Sequence, residues 1–131
     1  MVSTEFVRSQ FSVWETDDPS PWFASLPDTF DFTVAGAINP LKGKYTSKEQ
    51  VFAAFGVIMS KLSGPPKLRI ENILTSGDYA VVEVTRTAVS KGGVSYDEMA
   101  CFVVRYEEEK MVEIRVYIDT AVEKALFEES G

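Results

Sequence analysis

The chain has 131 residues, with 13 basic and 20 acidic side chains, a net charge of −7, one cysteine and no histidine. That length fits one domain able to bury roughly two thirds of the surface its unfolded chain exposes, and 45% apolar with 25% charged residues is ordinary globular usage, which excludes disorder, collagen and coiled coil for the chain as a whole. Without histidine there is no Ser-His-Asp or Cys-His unit and no histidine-ligated zinc, haem or iron, and the lone Cys101 builds neither an internal disulfide nor a cysteine metal cage.

The opening segment, Thr4 to Trp14, sets Phe6, Val7, Phe11 and Trp14 at helical spacing. Asp17-Asp18-Pro19 ends it. Ser20-Pro21 reads as an N-cap and first-turn proline, opening a short helix through Trp22, Phe23 and Leu26 that Pro27-Asp28 closes. Phe30 to Val34 is a short strand, and Gly36 to Lys44 a loop with Asn39-Pro40 and Gly43 as its turn residues. Ser47 and Gln50 form a capping box. The helix they start carries Val51, Phe55, Ile58, Met59 and Leu62 as one buried stripe, and Gly64-Pro65-Pro66 stops it.

Four strand-like runs follow, at about 67–75, 79–89, 95–106 and 111–118. Their turns fall at Ser76-Gly77-Asp78, Lys91-Gly92-Gly93 and Glu107 to Lys110, joins so short that neighbours must be antiparallel. Thr120 with Glu123 is a further capping box, opening a last helix with Val122, Ala125, Leu126 and Phe127. The order predicts an α+β domain over 1–131: a curved antiparallel sheet wrapped around N-terminal helices and one long helix.

Acidic residues dominate 1–31 and 97–131, and basic ones 32–96. No basic cluster is dense enough to track phosphates, so no nucleic-acid partner is expected. No apolar run approaches the roughly 20 residues of a membrane span, so no membrane partner is expected either. The N-terminus lacks a basic region followed by an apolar run, and with one cysteine the expected compartment is the cytoplasm.

The order of elements resembles the SnoaL-like group within the nuclear transport factor 2-like superfamily, whose fold is the ketosteroid isomerase cone. The resemblance rests on LPDTFDFTVAG, NPLKGKYTSKEQV, SGDYAVVEV and VVRYEEEKMVEIRVYIDTA in that order and spacing, and covers most of the chain. Two positions depart from the pattern: Glu109 replaces a turn glycine, and Val116 replaces the acid that opens the acid-Tyr-x-Asp signature, here Val116-Tyr117-Ile118-Asp119. The resemblance implies a deep pocket between the concave sheet face and the helices, in a homodimer. Relatives include isomerases, epoxide hydrolases, dehydratases and polyketide cyclases, so the fold alone does not settle function.

Strand alternation limits which residues can meet in that pocket. Val82, Val84 and Arg86 share one face of their run, and Val81, Glu83 and Thr85 the other. In the last strand Ile114, Val116 and Ile118 oppose Glu113, Arg115, Tyr117 and Asp119. With the apolar faces inward, the pocket is greasy and Arg86 is its main sheet-borne charge. With the polar faces inward, Glu83, Arg115, Tyr117 and Asp119 form an acid-base set. Alignment with limonene epoxide hydrolase favours the first arrangement. It puts that enzyme's Arg-x-Asp pair on Val84 and Arg86 and its second aspartate on Val116, departures that argue against epoxide hydrolysis by that machinery. The carboxylate base of ketosteroid isomerase falls on Thr33, leaving Asp31, two residues earlier on the same strand face, as the nearest substitute. Asn39 falls near a His-Pro of SnoaL-like relatives, and its amide could bind a carbonyl.

The expected function is cofactor-free acid-base chemistry of isomerase, cyclase or dehydratase type on a small apolar carbonyl compound, with no metal. Asp31, Asp119, Glu83 and Tyr117 are the candidate catalytic residues. Asn39, Arg86, Arg115, Trp14, Trp22, Phe55 and Tyr96 are the candidate binding residues, the aromatics serving as pocket walls. Cys101, between Ala100 and Phe102, reads as a small buried hydrophobe. A non-catalytic binding or dimerisation module of the same fold is the alternative, and a protein-interaction adaptor a weaker third.

Overall fold

The computed structural model describes residues 1–16, 18–36 and 41–129. Ser3 starts the first helix by accepting a hydrogen bond from the Phe6 amide at 3.1 Å, and α1 runs Thr4–Phe11. A 3-10 turn, Ser12–Glu15, continues it and carries Trp14 inward. The second helix, α2, is Ser20–Ala24. Ser20 lies inside it rather than capping it, and its amide donates to Asp18 Oδ1 at 3.0 Å. The long helix α3, Lys48–Met59, opens on Ser47, which accepts from the Gln50 amide. Gln50 reaches back to the amide of Thr46 rather than Ser47, at 2.6 Å. The helix stops at Met59, before the Gly-Pro-Pro signal, and turns carry the chain on to Leu62.

Six strands form one curved, open sheet: β1 Asp31–Val34, β2 Gly43–Tyr45, β3 Lys67–Ser76, β4 Tyr79–Val89, β5 Ser95–Glu107 and β6 Lys110–Ile118. Their order is β2-β1-β6-β5-β4-β3. The β3 to β6 meander is antiparallel, as the short turns require. The sheet as a whole is mixed, because β1 pairs with β6 in parallel. β2 falls where the sequence pattern predicts a loop. Its three residues carry little strand pattern of their own and are strand because they pair with β1. The last helix, α4, is Thr120–Glu128 and is capped by Asp119, whose side chain accepts from the amides of Ala121 and Val122. The side chain of Glu123, the other half of the expected box, lies outside the described residues.

The inward face of the sheet is apolar. Val82, Val84, Val104 and Ile114 are fully buried, with Ala80, Phe102 and Val116 close behind. The helices lay Val7, Phe11, Trp14, Trp22 and Phe23 against them. The aromatics meet mainly edge to face, as Phe11 does with Phe102 at 5.3 Å and Trp22 with Phe23 at 5.2 Å, the arrangement ring quadrupoles favour. Among the described residues no helix is long and apolar enough to cross a membrane.

Candidate functional site

A cavity of about 120 Å³ lies between α3 and the inward sheet face. One helical stripe, Val51, Ala54, Phe55 and Ile58, forms its roof. Phe55 and Ile58 are half-buried and line this void, Phe55 also packing against Trp14 and Phe23. The floor comes from rows of opposed residues across the sheet. Val34 pairs with Val116, Val116 with Phe102, and Ala100 with Ile118. Trp14, Trp22 and Phe23 close one side. Both indole Nε1 atoms are buried without a hydrogen-bond partner among the described residues. Tyr45 lines the cavity too and donates its hydroxyl proton to the Leu41 carbonyl at 2.6 Å; burial pushes its phenol pKa up.

Arg86 is the one charged side chain among the described residues that line this cavity. It stands directly opposite Glu98 across β4 and β5 and donates from Nη2 to Glu98 Oε1. The Glu98 side chain is 1% exposed and that of Arg86 18%. Burying a carboxylate this deeply is costly unless it is paired, and Arg86 supplies the pair. Glu98 Oε2 has no hydrogen-bond partner among the described residues. A second space, about 10 Å³ and so close to the size of one water, adjoins the pair. Ile58, Pro66 and Arg86 belong to the walls of both spaces, and the smaller one is also lined by Tyr96, Glu98 and, from α4, Val122 and Leu126. The Tyr96 phenol pKa is pushed up, by burial first and then by Glu129.

The structure therefore gathers five of the expected binding residues, Trp14, Trp22, Phe55, Arg86 and Tyr96, around two adjoining spaces. Asn39 lies outside the described residues. The remaining candidates do not line the cavity. Asp31 is exposed at the start of β1, where Phe32 and Val34 are the residues that turn inward. Glu83, Tyr117 and Asp119 come together instead around a broad groove on the outer sheet face. There Glu83 accepts from Asn72 Nδ2 at 3.3 Å. Arg115 pairs with Glu113 at 2.7 Å; partial burial works against its charge, but the Tyr117 hydroxyl and the Glu113 carboxylate outweigh it and hold its pKa above the ordinary value. Cys101 sits half-buried on the same face, its thiol pushed up by burial and by Glu83.

Glu98 is the residue that sequence reasoning passed over, and the signal for it was present. A hairpin turning at Lys91-Gly92-Gly93 sets Arg86 opposite Glu98, and Glu98 shares its parity with Ala100, Phe102 and Val104. Once those apolar residues face inward, Glu98 must too.

The sequence profile of the SnoaL-like domain matches residues 7–114. The chain belongs to the SnoaL-like domain family. No curated protein sequence matches this SnoaL-like chain significantly, but solved structures do. A nuclear transport factor 2-like protein of unknown function from Burkholderia pseudomallei is similar at 22% identity and a TM-score of 0.81, over 95% of this chain and 96% of that one. TerC, crystallised with polyporic acid, is 16% identical with a TM-score of 0.80, over 95% and 97%. A protein from Jannaschia sp. described as a SnoaL-like polyketide cyclase is 19% identical with a TM-score of 0.74, over 96% and 92%. At these identities the likeness establishes the shared cone and nothing finer.

Proposed function

We propose that the cone binds a small, largely apolar ring compound bearing a carbonyl group and catalyses acid-base chemistry on it, of isomerase, cyclase or dehydratase type. The observation that carries this reading is the Arg86–Glu98 pair beside an otherwise apolar cavity. Arg86 is placed to donate to a carbonyl oxygen. A proton leaving the carbon beside that carbonyl sends its electron pair to the oxygen, and a guanidinium in a water-poor site stabilises the resulting enolate. Glu98 is the carboxylate bonded to that guanidinium, and of the carboxylates described it is the nearest candidate to accept the proton and return it to another carbon. Support also comes from TerC, a cone of the same fold crystallised with polyporic acid.

A second reading is binding without turnover. It is favoured by one observation: no carboxylate lines the main cavity among the described residues, Glu98 being in the adjoining space.

Exchange of carbonyl-adjacent hydrogens tests the two readings. Neutral ring ketones are incubated with the chain in heavy water and followed by NMR. The catalytic reading expects faster exchange with wild type and loss of that acceleration in Ala54→Phe, which fills the cavity from α3. Acceleration that survives Ala54→Phe would place the chemistry elsewhere. Binding without any acceleration leaves the second reading standing.

A further inference from the structure

We infer that the cavity selects neutral ring compounds carrying both a hydrogen-bond donor and an acceptor over the matching carboxylates, and that Glu98 is the residue setting this preference; this rests on the ligand-binding reading above. A guanidinium standing alone in an apolar cavity would favour the opposite. Its fork of donors matches a carboxylate in shape and charge.

Arg86 does not stand alone. Glu98 faces it directly across β4 and β5, its side chain is 1% exposed, and it accepts from Arg86 Nη2. The positive charge that an anionic ligand would seek is therefore already matched inside the protein. A second carboxylate arriving there is an excess negative charge. It is carried into a space walled by rings and aliphatic side chains, where charge is poorly screened.

The second oxygen of Glu98 points the same way. Oε2 is buried and has no partner among the described residues. An unsatisfied buried acceptor is costly, and a donor that reaches it recovers that cost. A carboxylate ligand has no proton to give. A neutral ligand does, where its O–H or N–H extends past Arg86, which walls both spaces, into the smaller one that Glu98 lines, while its carbonyl oxygen accepts from Arg86. At about 120 Å³, below the roughly 150 Å³ of an apolar cavity that takes one benzene ring, the space limits the ligand to a single ring whose polar substituent reaches beyond it.

Benzamide and benzoate are the probes, equal in shape and different in charge and donor. Acetophenone is the third, an acceptor without a donor. Binding is followed through the two indole N–H resonances of Trp14 and Trp22, the chain's only tryptophans, both in the cavity wall. Wild type is expected to prefer benzamide over benzoate by at least about tenfold, with acetophenone weaker than benzamide. Glu98→Gln removes the internal charge and is expected to cut the benzamide-to-benzoate preference by at least about tenfold. Equal binding of benzamide and benzoate by wild type overturns the inference, as does an unchanged ratio in a folded Glu98→Gln chain. The wild-type comparison decides by itself if Glu98→Gln does not fold. Should none of the three probes move either indole resonance, the ligand-binding reading falls and the selectivity with it. Binding of all three without discrimination removes only the selectivity.

Discussion

Glu83 and Arg86 lie three residues apart on β4 and face opposite sides of the sheet. Glu83 belongs to the outer groove, hydrogen-bonded to Asn72, while Arg86 lines the cavity and bonds Glu98. Substitutions on the two faces should therefore separate. Glu83→Gln and Tyr117→Phe are expected to leave the affinity of any cavity ligand within about twofold, because the sheet stands between them and it. Asp119→Ala is expected to cost about 1 kcal/mol of stability instead, since its carboxylate caps α4. Ligand titration and urea unfolding of the three variants check this. A large loss of affinity in Glu83→Gln or Tyr117→Phe would move the site to the outer groove.

The buried pair should behave as a unit. Arg86→Met leaves the Glu98 carboxylate buried without that partner and is expected to destabilise the chain by about 3 kcal/mol or more. The double variant Arg86→Met/Glu98→Leu removes both charges, keeps the volume close and is expected to recover most of the loss. Urea midpoints of wild type, single and double variants form the cycle. A double variant no more stable than the single one would show that Arg86 matters through packing of its stem rather than by compensating Glu98.

Most of the fold was legible because it is written in periodicity. The stripe Val51, Phe55, Ile58 and the alternation through Val82, Val84 and Arg86 each name a face, and the three short turns name the meander. The parallel pairing of β1 with β6 was not legible, since it joins residues some eighty positions apart and leaves no local mark. Nor was β2, which is strand only because β1 lies beside it. The candidate site was half legible. Trp14, Trp22, Phe55 and Arg86 were named as binding residues, but an apolar stripe reads the same whether it packs a core or roofs a void. Counting along β1 points to Asp31 but does not say which way the strand faces, and Phe32 and Val34 are the residues that turn inward. Glu98 needed the apolar face and the hairpin register taken together.

The β5–β6 turn carries avoidable strain. Glu108 and Glu109 both have positive φ, 49° and 66°, the region that hairpin turns reserve for Gly, Asn and Asp. Two adjacent carboxylates add repulsion. Glu109→Gly removes the side-chain clash at the cost of extra freedom in the unfolded chain, for an expected net gain of about 0.5–1 kcal/mol. Glu109→Val, branched at Cβ, should lose at least as much. Thermal and urea unfolding of the two variants must shift in opposite directions. A shift of the same sign in both would mean that the carboxylate itself supports the turn.

Stability should fall in alkali, and Tyr106 is the main reason. The residue is 2% exposed and its hydroxyl donates to Gln10 Oε1 at 2.6 Å. Burial holds its pKa far above the ordinary 10.0. Below pH 10 both folded and unfolded chains keep the phenolic proton, and this group gives no pH dependence. Above about pH 10 the unfolded chain releases it and the folded chain does not, so the unfolded state binds fewer protons and stability declines, by at most about 1.4 kcal/mol per pH unit from this group. Tyr106→Phe cannot titrate. It is expected to be less stable than wild type near neutrality, by about 1 kcal/mol for the lost hydrogen bond, yet to lose less between pH 9 and about pH 11. Tyr45, also raised by burial, should leave a residual slope in the variant. Urea midpoints of the two chains across that range decide the matter, and equal slopes would assign the alkaline loss to a group other than Tyr106.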